Sequence, residues 1–297
     1  MGGITVGHVT HILALACALL TAGCAHGIAV PQSDTEHPSR WSAETRAVAT
    51  EVFSYAILAN NAYKTGAVQN LPLFKEVDAK PNDGKGFAYK VFERVDAGRV
   101  VEVIIAFRGT ELHNLKDMFY GNLLGAQNKR GRRVYRMWRA RTPKEIPITV
   151  VGHSLGGAIA THVSLHEPEV VSYIFNASPR FRLSGKAQVN RRLSVAENGE
   201  LLKAVRIFGR EATQYYVSLG CTHRRDPFTQ HGIYRLAACL TQIAAIHCRA
   251  AQQVLDNNPD MKRREGPWRR RDGDEAADRC VPVPVARSDL RKPHEIW

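Results

Sequence analysis

Ser154 stands in the run Gly152-His153-Ser154-Leu155-Gly156, a Gly-x-Ser-x-Gly pattern. The chemistry this spacing serves is nucleophilic. A serine on a tight strand-to-helix turn takes a strained backbone and lifts its hydroxyl out of the sheet, and the small residues beside it let strand and helix backbones come close. The start of the following helix offers backbone N–H groups and the positive end of its dipole to an oxyanion. A serine alkoxide is not available at neutral pH, so the hydroxyl needs an imidazole to take its proton. The imidazole in turn needs a carboxylate to hold its tautomer.

In the α/β hydrolases whose nucleophile elbow this Gly-x-Ser-x-Gly run resembles, those two partners come later in the chain. His153 adjoins Ser154 and points elsewhere at such a turn, and His162 and His166 fall on the helix that follows. Beyond them lie His223, His231, His247 and His294. His247 continues the apolar stripe of Leu236, Leu240 and Ile243, the mark of a packed helix residue, and His294 sits in a polar tail. His231, in a loop just before a long helical pattern, and His223 remain as candidates for the base. No Asp occurs between Ser154 and Asp226, and Asp226 is only five residues from His231. The acid is therefore expected to be a glutamate, with Glu197, Glu200 and Glu211 as candidates.

The elements that must hold these residues can be read from patterning. Residues 148–151 form a β-branched run after Pro147, and a helix starts at the small residues Gly156, Gly157 and Ala158. Residues 87–94 and 100–107 read as two strands of a hairpin turning at Asp96, Ala97 and Gly98. The second becomes almost continuously apolar, as a strand covered on both faces does. Residues 170–180 read as another buried parallel strand ending in a turn. Ser42 can cap a helix running to about residue 63, closed by Gly66. Residues 129–144 carry eight basic side chains and no acid, interspersed with Val134, Tyr135, Met137 and Trp138. That is a helix with an apolar inner side and an arginine-rich outer side, either solvated or docked on anionic headgroups. Residues 232–255 read as one amphipathic helix, on which Cys239 and Cys248, nine residues apart, face opposite sides and cannot pair with each other. Cys221 and Cys280 are further candidates for oxidation.

Ala106-Phe107-Arg108-Gly109-Thr110, followed about 45 residues later by Gly152-His153-Ser154-Leu155-Gly156-Gly157 and then by a strand ending in Ser178-Pro179-Arg180, resembles the class 3 lipase family of α/β hydrolases. The resemblance implies an α/β-hydrolase fold with a mostly parallel central sheet flanked by helices. It implies the chain order serine, acid, histidine, with the base at the position of His231. It places the oxyanion donors at Thr110 and Leu155, and a short lid helix within residues 111–124. The family's acid is an Asp just after the strand that follows Ser-Pro-Arg; Glu200, after the Asn198-Gly199 turn, matches that position best. The implied reaction is ester hydrolysis on acylglycerols or phospholipids, with no cofactor and no metal. A small-ester carboxylesterase or thioesterase would use the same machinery, and a catalytically silent envelope lipoprotein would share only the fold.

The 297 residues suffice for one full core with tails. Residues 12–20 are apolar but too short to span a bilayer, and Thr21-Ala22-Gly23-Cys24 follows. This reads as a signal peptide over residues 1–23, and Cys24 resembles the lipidated cysteine of bacterial lipoproteins. A tether over 24–40, the hydrolase domain over 41–256 and a charged, disordered tail over 257–297 complete the expected organisation. The expected location is the bacterial envelope, membrane-anchored, or outside the cell. A net charge of +13 favours anionic surfaces, a membrane among them. Neither a specific nucleic-acid motif nor an obligate protein partner is evident.

Overall fold

The computed structural model describes residues 39–63, 69–81, 86–109, 121–178, 190–200, 202, 214–221, 227–262 and 280; the side chains of 121–125 and 214–218 are outside the description. Helix α1 (Ala43–Asn61) is capped by Ser42, whose hydroxyl accepts the Thr45 N–H at 3.1 Å. Strands β1 (Phe74–Lys80), β2 (Tyr89–Asp96) and β3 (Arg99–Phe107) follow. Helix α2 (Gly121–Arg141) leads to β4 (Ile148–His153), helix α3 (Leu155–His166) and β5 (Val171–Phe175). Strands β6 (Arg192–Glu197) and β7 (Gln214–Leu219) precede a five-residue helix α4 (Pro227–His231), then α5 (Ile233–Ala244), α6 (Arg249–Asn257) and a 3₁₀ turn at Pro259–Met261.

Among the described residues seven strands form one sheet in chain order. β1–β2 and β2–β3 are antiparallel; β3 through β7 are parallel to one another. The expected hairpin is β2–β3, and Ala97 and Gly98 in its turn both have positive φ. β3 is covered on both faces, as its composition implies. Val103, Ile105 and Phe107 pack with Val134 of α2 and Ile159 and Val163 of α3, while Ile104 and Ala106 face the layer of α1, α5 and α6. The one charge in that strand's buried part, Glu102, is satisfied: it accepts from the Tyr55 hydroxyl at 2.9 Å, the Arg94 Nε–H at 3.0 Å and the Thr149 hydroxyl.

One expectation changes, and two features go beyond it. The edge strands β1 and β7 carry too little alternation to stand out in the sequence, and both join the sheet. The helix expected over 232–255 is two helices, α5 and α6, separated by a turn at 245–248. A straight helix would aim one of Cys239 and Cys248 outward; the break buries both in one core cluster, where Cys239 bonds Cys221 and Cys248 bonds Cys280. Past residue 256, Met261 is buried and Cys280 is bonded to Cys248. The expected signal segment, Cys24 and residues 111–120 of the expected lid lie outside the described residues.

Candidate active site

Ser154 sits between β4 and α3 at φ 56°, ψ −122°, a backbone conformation that non-glycine residues rarely adopt. The neighbouring turns of chain leave no room for a side chain. A Cβ on Gly152 would lie 2.3 Å from the Gly156 carbonyl, and one on Gly156 would lie 2.1 Å from the Phe107 carbonyl oxygen. The strain is held by β5: the Ser154 N–H donates to the Phe175 carbonyl, and its own carbonyl accepts from Ser178, both at 3.0 Å. Leu155 opens α3, so its N–H belongs to the first turn of a helix that starts at the serine.

His231 ends α4. Its Nδ1 lies 2.7 Å from Glu200 Oε2, and the same oxygen accepts the Leu202 N–H at 2.8 Å. Because the carboxylate accepts, the ring carries its proton on Nδ1. Nε2 is buried and has no hydrogen-bond partner, Ser154 Oγ included. A buried ring nitrogen left unbonded is costly and calls for an explanation; an acceptor aimed at a proton yet to arrive is one. Among the described residues it is Glu200, not Glu197, that meets His231. Glu197 ends β6 with its backbone N–H bonded to Asn176 Oδ1. Glu211, His223 and Thr110 lie outside the described residues.

Asn176 was not singled out by sequence reasoning. It follows Phe175 at the end of β5 with φ 42°, and its Nδ2 donates to the carbonyls of His231 at 3.0 Å and Gln230 at 3.3 Å. One side chain thus ties β6 and α4 to the strand end that pins Ser154. The only sequence signal was an Asn at a strand end, a residue type that tolerates the left-handed region.

No protein-family model matches the chain, and no curated protein matches its sequence. Among solved structures it is similar to a lipase from Rhizopus microsporus var. chinensis, at 18% identity over 61% of this chain and 78% of that one, with a TM-score of 0.43. A triacylglycerol lipase from Penicillium expansum is 18% identical over 58% and 80%, with a TM-score of 0.41. Lipase II from Rhizopus niveus is 12% identical over 56% and 77%, with a TM-score of 0.42. All three neighbours are lipases.

The serine does not stand exposed as the motif alone implies. Ser154 is 2% exposed, His231 1% and Glu200 3%, so solvent does not reach the three side chains in this arrangement. Dry surroundings strengthen the His231–Glu200 interaction and sharpen any charge that develops there. His153 is not a competing base, because both its ring nitrogens are engaged, with the Tyr63 hydroxyl and the His231 carbonyl. Among the described residues no group of three or more His, Cys, Asp or Glu is gathered as a metal site requires.

Proposed function

We propose that this chain is a serine hydrolase that cleaves carboxylic esters of lipids through an acyl-enzyme. The observations that carry the reading are a strained, buried elbow serine and a buried His231–Glu200 pair whose Nε2 has no hydrogen-bond partner. Ser154 Oγ attacks the ester carbonyl while His231 Nε2 takes its proton, and Glu200 stabilises the imidazolium that forms. The tetrahedral oxyanion is received by the N–H groups of Leu155 and Thr110. Collapse expels the alcohol, protonated by Nε2, and leaves Ser154 acylated. Water, deprotonated by the same nitrogen, then releases the carboxylic acid and restores the hydroxyl.

A lipid rather than a small soluble ester is proposed on the resemblance of Ala106-Phe107-Arg108-Gly109-Thr110 and Gly152-His153-Ser154-Leu155-Gly156-Gly157 to class 3 lipases. The setting we propose is the bacterial envelope, reached by export, with Cys24 as lipid attachment point or the chain secreted outright. Two disulfides fit an oxidising compartment. The exposed stripe of Lys129, Arg133 and Arg136 on α2 supplies affinity for anionic headgroups.

The test compares hydrolysis of one ester below and above its solubility limit, for the wild type and Ser154→Ala. The reading expects a rise in rate at the interface that Ser154→Ala abolishes. Equal turnover in both phases turns the assignment to a small-ester carboxylesterase or thioesterase. No turnover of either by the wild type leaves a catalytically silent lipoprotein.

A further inference from the structure

We infer that Tyr63 and His153 are positioning residues: they form a hydrogen-bonded relay that fixes the backbone of His231 against the loop after β3. The inference rests on the ester-hydrolase reading for its consequence in rate, and on geometry alone for the relay itself.

The directions of the bonds can be assigned from one end. The His231 carbonyl can only accept, so His153 Nε2, 2.7 Å away, carries the ring proton and donates it. A neutral imidazole protonated there has Nδ1 as an acceptor, and the Tyr63 hydroxyl donates to it at 2.8 Å. The Tyr63 oxygen then accepts, and the Gly109 N–H supplies that bond at 2.9 Å. Each link runs donor to acceptor in one sense, from Gly109 through Tyr63 and His153 to His231.

Both ends of this chain belong to the proposed chemistry. Gly109 precedes Thr110, and its backbone presses on the elbow: a Cβ built there would lie 3.1 Å from Ser154 Cβ and 2.5 Å from the His153 carbonyl oxygen. His231 closes α4, a helix of five residues, too short to hold its own last residue in place. Glu200 fixes the ring at Nδ1, but a ring is aimed only if its backbone is also held. The His231 carbonyl is where that hold is applied, by His153 and by Asn176 at 3.0 Å. The rings add contact, with His153 and His231 centroids 4.8 Å apart and Tyr63 edge-on to His153 at 5.6 Å. His153 is buried, so losing either bond leaves a polar atom without water to replace its partner.

Tyr63→Phe removes one hydroxyl and keeps the ring; His153→Ala removes the relay; His153→Gln restores a side-chain N–H of similar reach. The readouts are kcat and KM on a soluble p-nitrophenyl ester, and the Nδ1 proton resonance of His231 in histidine-labelled protein. Tyr63→Phe and His153→Ala are expected to lower kcat about 10- to 100-fold with KM little changed, the cost of a misplaced catalytic group. The double variant should be no worse than the worse single one, and His153→Gln should recover most of the loss. The His231 resonance should move in Tyr63→Phe, although Tyr63 does not touch that ring nitrogen. Wild-type kcat in Tyr63→Phe overturns the relay, as does an unmoved resonance. A wild type inactive on dissolved and emulsified ester alike, or a Ser154→Ala variant that retains the rate, defeats the hydrolase reading instead; the resonance alone then decides the relay.

Discussion

His231 and Glu200 meet through Nδ1 and Oε2 at 2.7 Å, with neither side chain reaching solvent. A carboxylate there fixes which ring nitrogen carries the proton and so leaves Nε2 as the acceptor. Glu200→Gln keeps the size of the side chain but removes the charge that stabilises the imidazolium. Ester turnover should fall by about 10⁴-fold, the scale known for loss of a triad acid. Glu197→Gln should leave turnover within a fewfold of wild type, because Glu197 does not contact the imidazole. Steady-state rates of the two variants on one ester check both statements, and a larger loss in Glu197→Gln would reverse the assignment.

Much of this site was legible in the letters, because steric rules act locally. Gly152, Ser154 and Gly156 announce the elbow, since only glycine fits where the Gly156 and Phe107 carbonyls lie within 2.3 Å of a built Cβ. Absence of any Asp between Ser154 and Asp226 pointed to a glutamate. What could not be read is what depends on contacts between distant segments. Asn176, Tyr63 and His153 are ordinary letters until folding brings residues 63, 109, 153, 176 and 231 together. The break between α5 and α6 falls at Ala245-Ile246-His247-Cys248, where neither glycine nor proline marks it.

The Cys221–Cys239 bond closes a loop of 18 residues and the Cys248–Cys280 bond one of 32. Cross-linking loops of this size is worth about 3 kcal/mol each through the unfolded state. In a domain of this size each kcal/mol moves Tm by about 2–4 °C. Loss of the first bond alone should therefore lower Tm by about 6–12 °C. Calorimetry of Cys221→Ser/Cys239→Ser beside the wild type, both without reductant, measures it. An unchanged Tm would show that the bond contributes nothing to the fold.

Glu102 makes stability depend on pH. Burial pushes its carboxyl above the usual value of 4.5, and the bonds from Thr149, Tyr55 and Arg94 pull it back only in part. The folded state then holds this proton to a higher pH than the unfolded chain does. The contribution is fully present below about 4.5 and is lost as pH rises through the folded value. Urea unfolding should show wild type losing stability relative to Glu102→Gln as pH rises above 4.5. The opposite slope would mean that Arg94 holds Glu102 as a carboxylate.

Lys129, Arg133 and Arg136 recur at i, i+4 and i+7 on α2 and are exposed, with Arg136 also 2.9 Å from Glu167. If this stripe rests on an anionic membrane, each lysine or arginine near the surface contributes about 1 kcal/mol. Lys129→Ala/Arg133→Ala should weaken binding to phosphatidylserine-containing vesicles roughly 30-fold and reduce its salt dependence. Sedimentation with vesicles at two salt concentrations reads both. Equal partitioning of variant and wild type would return this face to ordinary solvation.

The most direct test of the whole account asks whether Ser154 is an activated nucleophile. An alkyl fluorophosphonate reacts with a serine hydroxyl only where an imidazole withdraws the proton and an oxyanion site receives the charge. Incubated with the purified full chain, it should add one phosphonyl group, found by peptide mass spectrometry on the peptide containing Ser154. Labelling should vanish in Ser154→Ala and slow sharply in His231→Ala. An unlabelled wild type, or labelling that survives Ser154→Ala, would contradict the account.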